Sequence, residues 1–166
     1  KEERDHERGL DIFEDARQKG KVNADIYQTA MLMATIKKDC KKTLEIFEEV
    51  KEKGMENAGI YICAIAAAGM DALNADASFS ERGLKRVFKL FEDAKEKMMV
   101  NTGVYESVLI TAKLCNDFEK ILEILEEAEE KGMVSAKIYQ AATTAADKKG
   151  DYEKREEIFK RAEEKG

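Results

Sequence analysis

Proline and tryptophan are absent from these 166 residues, histidine occurs once and cysteine three times. No apolar stretch is long enough to span a bilayer; the longest, around residues 60–70, is well short of the roughly 20 residues a spanning helix needs. No run alternates β-branched with polar residues, so the composition favours helices over sheet. Cys40, Cys63 and Cys115 are odd in number, widely spaced and without a nearby histidine, which excludes zinc-type spacing and argues against a disulfide framework. A reducing compartment fits them best, and Cys63 and Cys115 fall in helical apolar patterns that assign them to packing. An excess of basic charge is also missing. With 29 Lys and Arg against 35 Asp and Glu, the net charge of −6 lacks the cationic footprint that neutralises phosphates.

Catalytic chemistry has no visible seat either. It needs a poised base or nucleophile with an orienting partner, and the sole histidine, His6, occupies a slot filled elsewhere by Cys40, Leu84, Phe118 and Tyr152, which marks it for packing. No Gly-rich phosphate loop and no paired metal-ligand spacing occurs, so the reading is a non-enzyme without metal or cofactor. Met31, Met33, Met98 and Met99 lie at helical spacing as gap-fillers. No signal or transit segment is visible, and with Lys1 in place of an initiator Met and Gly166 inside a repeat, a piece of a longer chain is expected.

What the chain does contain is repetition. One phrase comes round five times, as IFEDARQKG (12–20), IFEEVKEKG (46–54), LFEDAKEKM (90–98), ILEEAEEKG (124–132) and IFKRAEEKG (158–166), at steps of 34, 44, 34 and 34 residues. A second phrase keeps register with it: ADIY (24–27), AGIY (58–61), TGVY (102–105) and AKIY (136–139). Such a period is the mark of an all-α solenoid of antiparallel helix–turn–helix repeats, here about nine helices.

Each repeat divides into a helix A and a helix B. In the repeat 24–57, helix A over about 24–37 carries Ile26, Tyr27, Ala30, Met31 and Ala34 on one stripe, and helix B over about 40–53 turns Leu44, Phe47 and Val50 inward and Glu45, Glu48, Glu49, Glu52 and Lys53 outward. Asp39, Asp117 and Asp151, with Asp5 at the equivalent point, stand where a carboxylate accepts first-turn N–H groups. Gly20, Gly54 and Gly132 stand where a left-handed cap is needed. Phe13, Phe47, Phe91, Leu125 and Phe159 should share one environment and Tyr27, Tyr61, Tyr105 and Tyr139 another. The array reads as a trailing helix B at 5–19, then repeats 24–57, 58–101, 102–135 and 136–166. The 44-residue step places an insertion at 71–80, expected as an exposed loop, with Ser78 and Glu81 at capping-box spacing for a helix starting near Phe79.

A Tyr at the fourth position of helix A, joined to an IFEEVKEKG-like helix B, resembles the pentatricopeptide repeat family over nearly the whole chain. The resemblance implies that the A helices line a concave groove for single-stranded RNA, in a mitochondrion or plastid, one base per repeat. It implies base reading by the fifth and last residues of each repeat: Gln28 with Asn57, Ile62 with Asn101, Glu106 with Ser135, and Gln140. It also implies phosphate contacts near Lys37, Lys113, Lys148 and Lys149. The alternative, kept open by the acidity and by the lack of any polar atom on the Ile62 side chain, is a protein partner on the same face. The chain would then be a scaffold or structural subunit of an organellar complex, a ribosome or other assembly, touching its partner through Ile62, Tyr152 and the 71–80 segment.

Overall fold

The computed structural model describes residues 2–74, 81–114 and 116–165. Nine helices and no strand occur among them: α1 (Glu2–Gln18), α2 (Ala24–Ile36), α3 (Cys40–Glu52), α4 (Ala58–Asn74), α5 (Glu81–Glu96), α6 (Thr102–Leu114), α7 (Phe118–Glu130), α8 (Ala136–Lys149) and α9 (Tyr152–Lys165). The fold is all-α, built of antiparallel helix–turn–helix repeats, with α2, α4, α6 and α8 as A helices and the odd-numbered ones as B helices. It divides into two compact units, Lys1–Met99 and Val100–Gly166.

Both units stack in the same way. In the first, α4 packs on both helices of the preceding pair, α2 and α3; in the second, α8 packs on α6 and α7. The apolar stripes explain why: Tyr27, Ala30, Met31 and Ala34 of α2 are buried, as are Leu44, Phe47 and Val50 of α3. Phe47 meets Tyr61 edge-on at 5.4 Å, and Phe13 meets Tyr27 at 5.5 Å. Short connections enforce the antiparallel pairing. Asp39 and Asp117 accept from the N–H groups of Lys42 and Lys120, and Asp151 accepts from Lys154. After helix B, Gly54 sits at φ 62° and lets the Met55 N–H reach back to the Val50 carbonyl, closing the helix end. Met98 holds the same left-handed conformation, at φ 56°, with a side chain that is almost wholly exposed.

Several expectations are revised. Asp5 is not a helix start, because α1 already begins at Glu2. The insertion is not a loop throughout: residues 71–74 continue α4, and Ala72 is buried against α5 at Gly83, where any added Cβ would overlap it. Helix–helix burial thus holds the chain in a helix past the point where the repeat pattern ends. The rest of the expected loop, 75–80, with Ser78 and Phe79, lies outside the described residues, as do Cys115 and the His6 side chain. Cys63 is buried, and burial pushes its thiol up to about 11. Met98 fills no gap. Phe159 departs from its counterparts, being 52% exposed where Phe47 is 1% exposed, because no described helix follows α9 to cover it.

Candidate binding faces of the A helices

Once its stripe is buried, each A helix is left with a free column at its fifth, ninth and thirteenth positions, one turn apart. On α2 the column is Gln28, Leu32 and Ile36; on α6 it is Glu106, Ile110 and Leu114. The apolar members are strongly exposed: Leu32 50%, Ile36 54%, Ile110 58% and Leu114 49%. On α4 the column is Ile62, Ala66 and Met70, all half-buried, and on α8 it is Gln140, Thr144 and Lys148. The aliphatic pairs were absent from the sequence-based candidates. Their signal was present as apolar residues four apart in the same column as the fifth residue.

The residues at the ends of repeats have another job in this structure. Asn57 accepts from the Ile60 N–H at 2.9 Å, Asn101 from Val104 at 3.0 Å and Ser135 from Ile138 at 3.4 Å. Asn23 does the same one repeat earlier, for Ile26 at 2.9 Å. These side-chain oxygens are N-caps of the A helices, satisfying donors that the helix cannot. The sequence carried this signal too, as Asn, Asn, Asn and Ser one residue ahead of successive A helices.

The fifth residues couple to the second residue of the next A helix. Glu106 accepts from the Ser135 hydroxyl at 2.7 Å and from Lys137 Nζ at 3.1 Å. The Ser135 hydrogen bond, with Lys137 beside it, holds the Glu106 carboxyl below its usual range despite partial burial, so it stays anionic. Gln28 lies so close to Gly59 that a Cβ there would overlap its amide. Gln140 is exposed and lines a cavity of about 170 Å³ with Glu106, Leu109, Ile110, Lys113 and Lys137. Two of the four candidate lysines have partners on α7: Lys148 lies 5.6 Å from the Phe118 ring centroid, and Lys149 pairs with Glu119 at 3.1 Å. Lys37 is the C-cap residue of α2, and Lys113 is exposed.

Behind the A helices, each buried tyrosine grips a carboxylate. Tyr27 donates to Glu49 at 2.5 Å, Tyr61 to Asp93 at 2.7 Å and Tyr105 to Glu127 at 3.0 Å, each acid lying on the partner B helix. A cation on the preceding B helix closes the clasp in the first unit, Arg17 to Glu49 at 2.7 Å and Lys51 to Asp93 at 2.8 Å. Partial burial alone would raise the Glu49 carboxyl, but Lys53, Tyr27 and Arg17 outweigh it and bring it down to about 2. Glu49 is therefore part of the inter-repeat contact, not only of the solvated outer face expected for it. The pairs of Glu49 with Lys53 and of Glu127 with Lys131 form at 2.7 and 2.9 Å.

Among the described residues no cluster of three or more His, Cys, Asp or Glu side chains could hold a metal ion, and no helix is long and apolar enough to cross a membrane. No family model matches the chain, and no curated protein matches it.

Proposed function

We propose that this chain is a non-catalytic helical-repeat scaffold that binds a protein partner through the free columns of its A helices. The observation that carries the proposal is the exposed aliphatic pair on α2, Leu32 with Ile36, and its counterpart on α6, Ile110 with Leu114. Aliphatic side chains offer a base no hydrogen bond, but they supply the apolar centre around which protein interfaces concentrate their energy. Burying the half of each side chain that now faces water contributes on the order of 1 kcal/mol apiece. The net charge of −6 and the anionic Glu106 in the α6 column work against a polyanion. Tyr152, 61% exposed at the start of α9, is a further apolar contact for such a partner.

Single-stranded RNA, the reading that follows from the pentatricopeptide resemblance, is favoured by one observation, the gathering of Lys113, Lys137 and Gln140 around the small α6–α8 cavity. Leu32→Asp and Ile110→Asp test the choice. Half of each side chain already faces water, so the fold should be retained with a loss of about 1–2 kcal/mol. A partner captured by the parent chain, identified and rebound in purified form, should be lost with either variant. Saturable RNA binding that falls with salt, is weakened by Lys113→Ala and ignores Ile110→Asp would overturn the protein reading.

A further inference from the structure

The two A helices of the second unit differ in charge from the B helix that joins them. α6 and α8 hold four lysines against Glu106 and Asp147, whereas α7 holds six acids and one lysine. Neither acid of the A helices is left for a ligand: Asp147 pairs with Arg155 of α9 at 3.0 Å, and Glu106 is taken up by Ser135 and Lys137. Lys137 remains 75% exposed and gives Glu106 one of its three N–H donors, which leaves two to spend. Among the described residues Lys113 has no carboxylate within ion-pair distance, and it lines the same cavity of about 170 Å³ as Lys137 and Gln140. Ile110 and Leu114 stand exposed on either side of it along α6. The first unit shares the exposed aliphatic pair but not the bases, since α2 and α4 contain Asp25 and Asp71 and no lysine or arginine.

We propose that the α6–α8 face receives an acidic amphipathic helix of the partner protein, an inference that rests on the protein-binding reading of the A-helix columns. The aliphatic stripe of that helix seats on Ile110 and Leu114. Carboxylates along its edge pair with Lys113 and Lys137, and the Gln140 amide donates to the one that enters the cavity. Two observations select this occupant over a nucleic acid, the other anion. Single strands are held by aromatic side chains on which bases stack, and the exposed aromatic residues of the described chain, Tyr152 and Phe159, both lie on α9. Phosphates also recur along a strand and would bring charge onto Glu106 and Ile110, whereas a helix sets its acids on the one edge that faces the lysines. On a chain of net charge −6, a cationic face set among acidic helices steers the encounter to that face.

The probe is a labelled helical peptide of leucine and glutamate, with leucine at helical spacing on one stripe, titrated into the whole chain beside a copy in which every glutamate is lysine. The acidic peptide should bind saturably at low salt and weaken as salt rises, and the basic copy should bind roughly ten-fold less tightly. Lys113→Glu should weaken the acidic peptide by about ten-fold and strengthen the basic one, while Lys113→Arg keeps both affinities. Ile110→Asp should abolish binding of the acidic peptide, with circular dichroism confirming that the fold is kept. Equal binding of the two peptides that is lost with Ile110→Asp but indifferent to Lys113→Glu would overturn the acidic specificity and leave the A-helix reading standing. Binding that ignores Ile110→Asp would sink both. Absence of saturable binding by the acidic peptide overturns the proposal, as would mixed-sequence single-stranded RNA that displaces the peptide, depends on Lys113 and ignores Ile110→Asp.

Discussion

In the first unit, Tyr27 and Tyr61 follow one rule: the hydroxyl donates to an acid on its own helix pair, and a cation on the preceding B helix closes the contact. In the second unit Tyr105 likewise donates to Glu127 of its own pair, but the step from α7 to α9 keeps the positions and reverses the charges. Tyr139 donates backward to Glu129 on α7 at 2.7 Å, and Arg161 stands in the slot held by Glu49, Asp93 and Glu127, 3.4 Å from Glu129. The stacking of helix pairs therefore needs one carboxylate and one cation within reach of a buried tyrosine, and either B helix can supply either sign. The tyrosine follows the carboxylate. Reversal has a cost, since two nitrogens of the Arg161 guanidinium are buried without a hydrogen bond.

The largest contrast concerns one phrase in two settings. Phe47→Ala leaves a cavity under α4 and should destabilise by about 3–5 kcal/mol, whereas Phe159→Ala, which removes a half-exposed ring, should cost only about 1 kcal/mol; urea unfolding of both reads the difference. Equal losses would mean that α9 is covered in solution. Next comes the reversed clasp. Arg161→Glu sets two acids side by side and should destabilise by about 1–2 kcal/mol, and adding Glu129→Lys, which rebuilds the arrangement of the first unit, should recover most of it. A double-mutant cycle gives the coupling, expected within about 0.5–3 kcal/mol; a coupling of zero would remove the clasp from the account.

Acid should act most strongly on the first unit. The Glu49 carboxyl falls from an ordinary 4.5 to about 2, so its contribution is complete above about pH 4.5 and is lost as pH falls through 2. Asp93 is likewise held low, the donors Lys51 and Tyr61 outweighing the effect of its burial. Glu49→Gln should flatten the stability profile across that window, followed by circular dichroism; an unchanged slope would show that Glu49 titrates normally. The smallest effect is local. Met98→Gly relieves a left-handed residue at φ 56° and should stabilise by about 1 kcal/mol, read as a rise in Tm.

Two registered phrases were enough to place the helix pairs, the caps Asp39, Asp117 and Asp151 and the buried tyrosines, because those depend on period and local chemistry. Charge sign at a repeated position is not fixed by period, so the reversal at Glu129 and Arg161 needed the packed helices to become visible. The helical continuation at 71–74 depends on Ala72 finding Gly83, a contact between residues eleven apart that no local pattern encodes. The exposed columns of the A helices were half legible. Gln28 and Glu106 were singled out by the resemblance, but the aliphatic residues below them gain meaning only once the opposite side of the helix is buried. The capping by Asn57, Asn101 and Ser135 was readable from their place one residue ahead of each A helix.

Binding of RNA by the whole chain tests the central claim most directly. At about 1–3 kcal/mol per stacked base, four columns without polar readers at their aliphatic positions reach roughly millimolar affinity once ordering is subtracted. Labelled single-stranded RNA of mixed sequence, titrated by fluorescence anisotropy at low salt, should therefore show no saturable binding in the micromolar range. Micromolar binding with a logarithmic salt slope of about −2 to −3, the value for three or four neutralised phosphates, would contradict it, above all if Lys113→Ala or Lys148→Ala reduced that slope while Leu32→Asp and Ile110→Asp left the affinity unchanged.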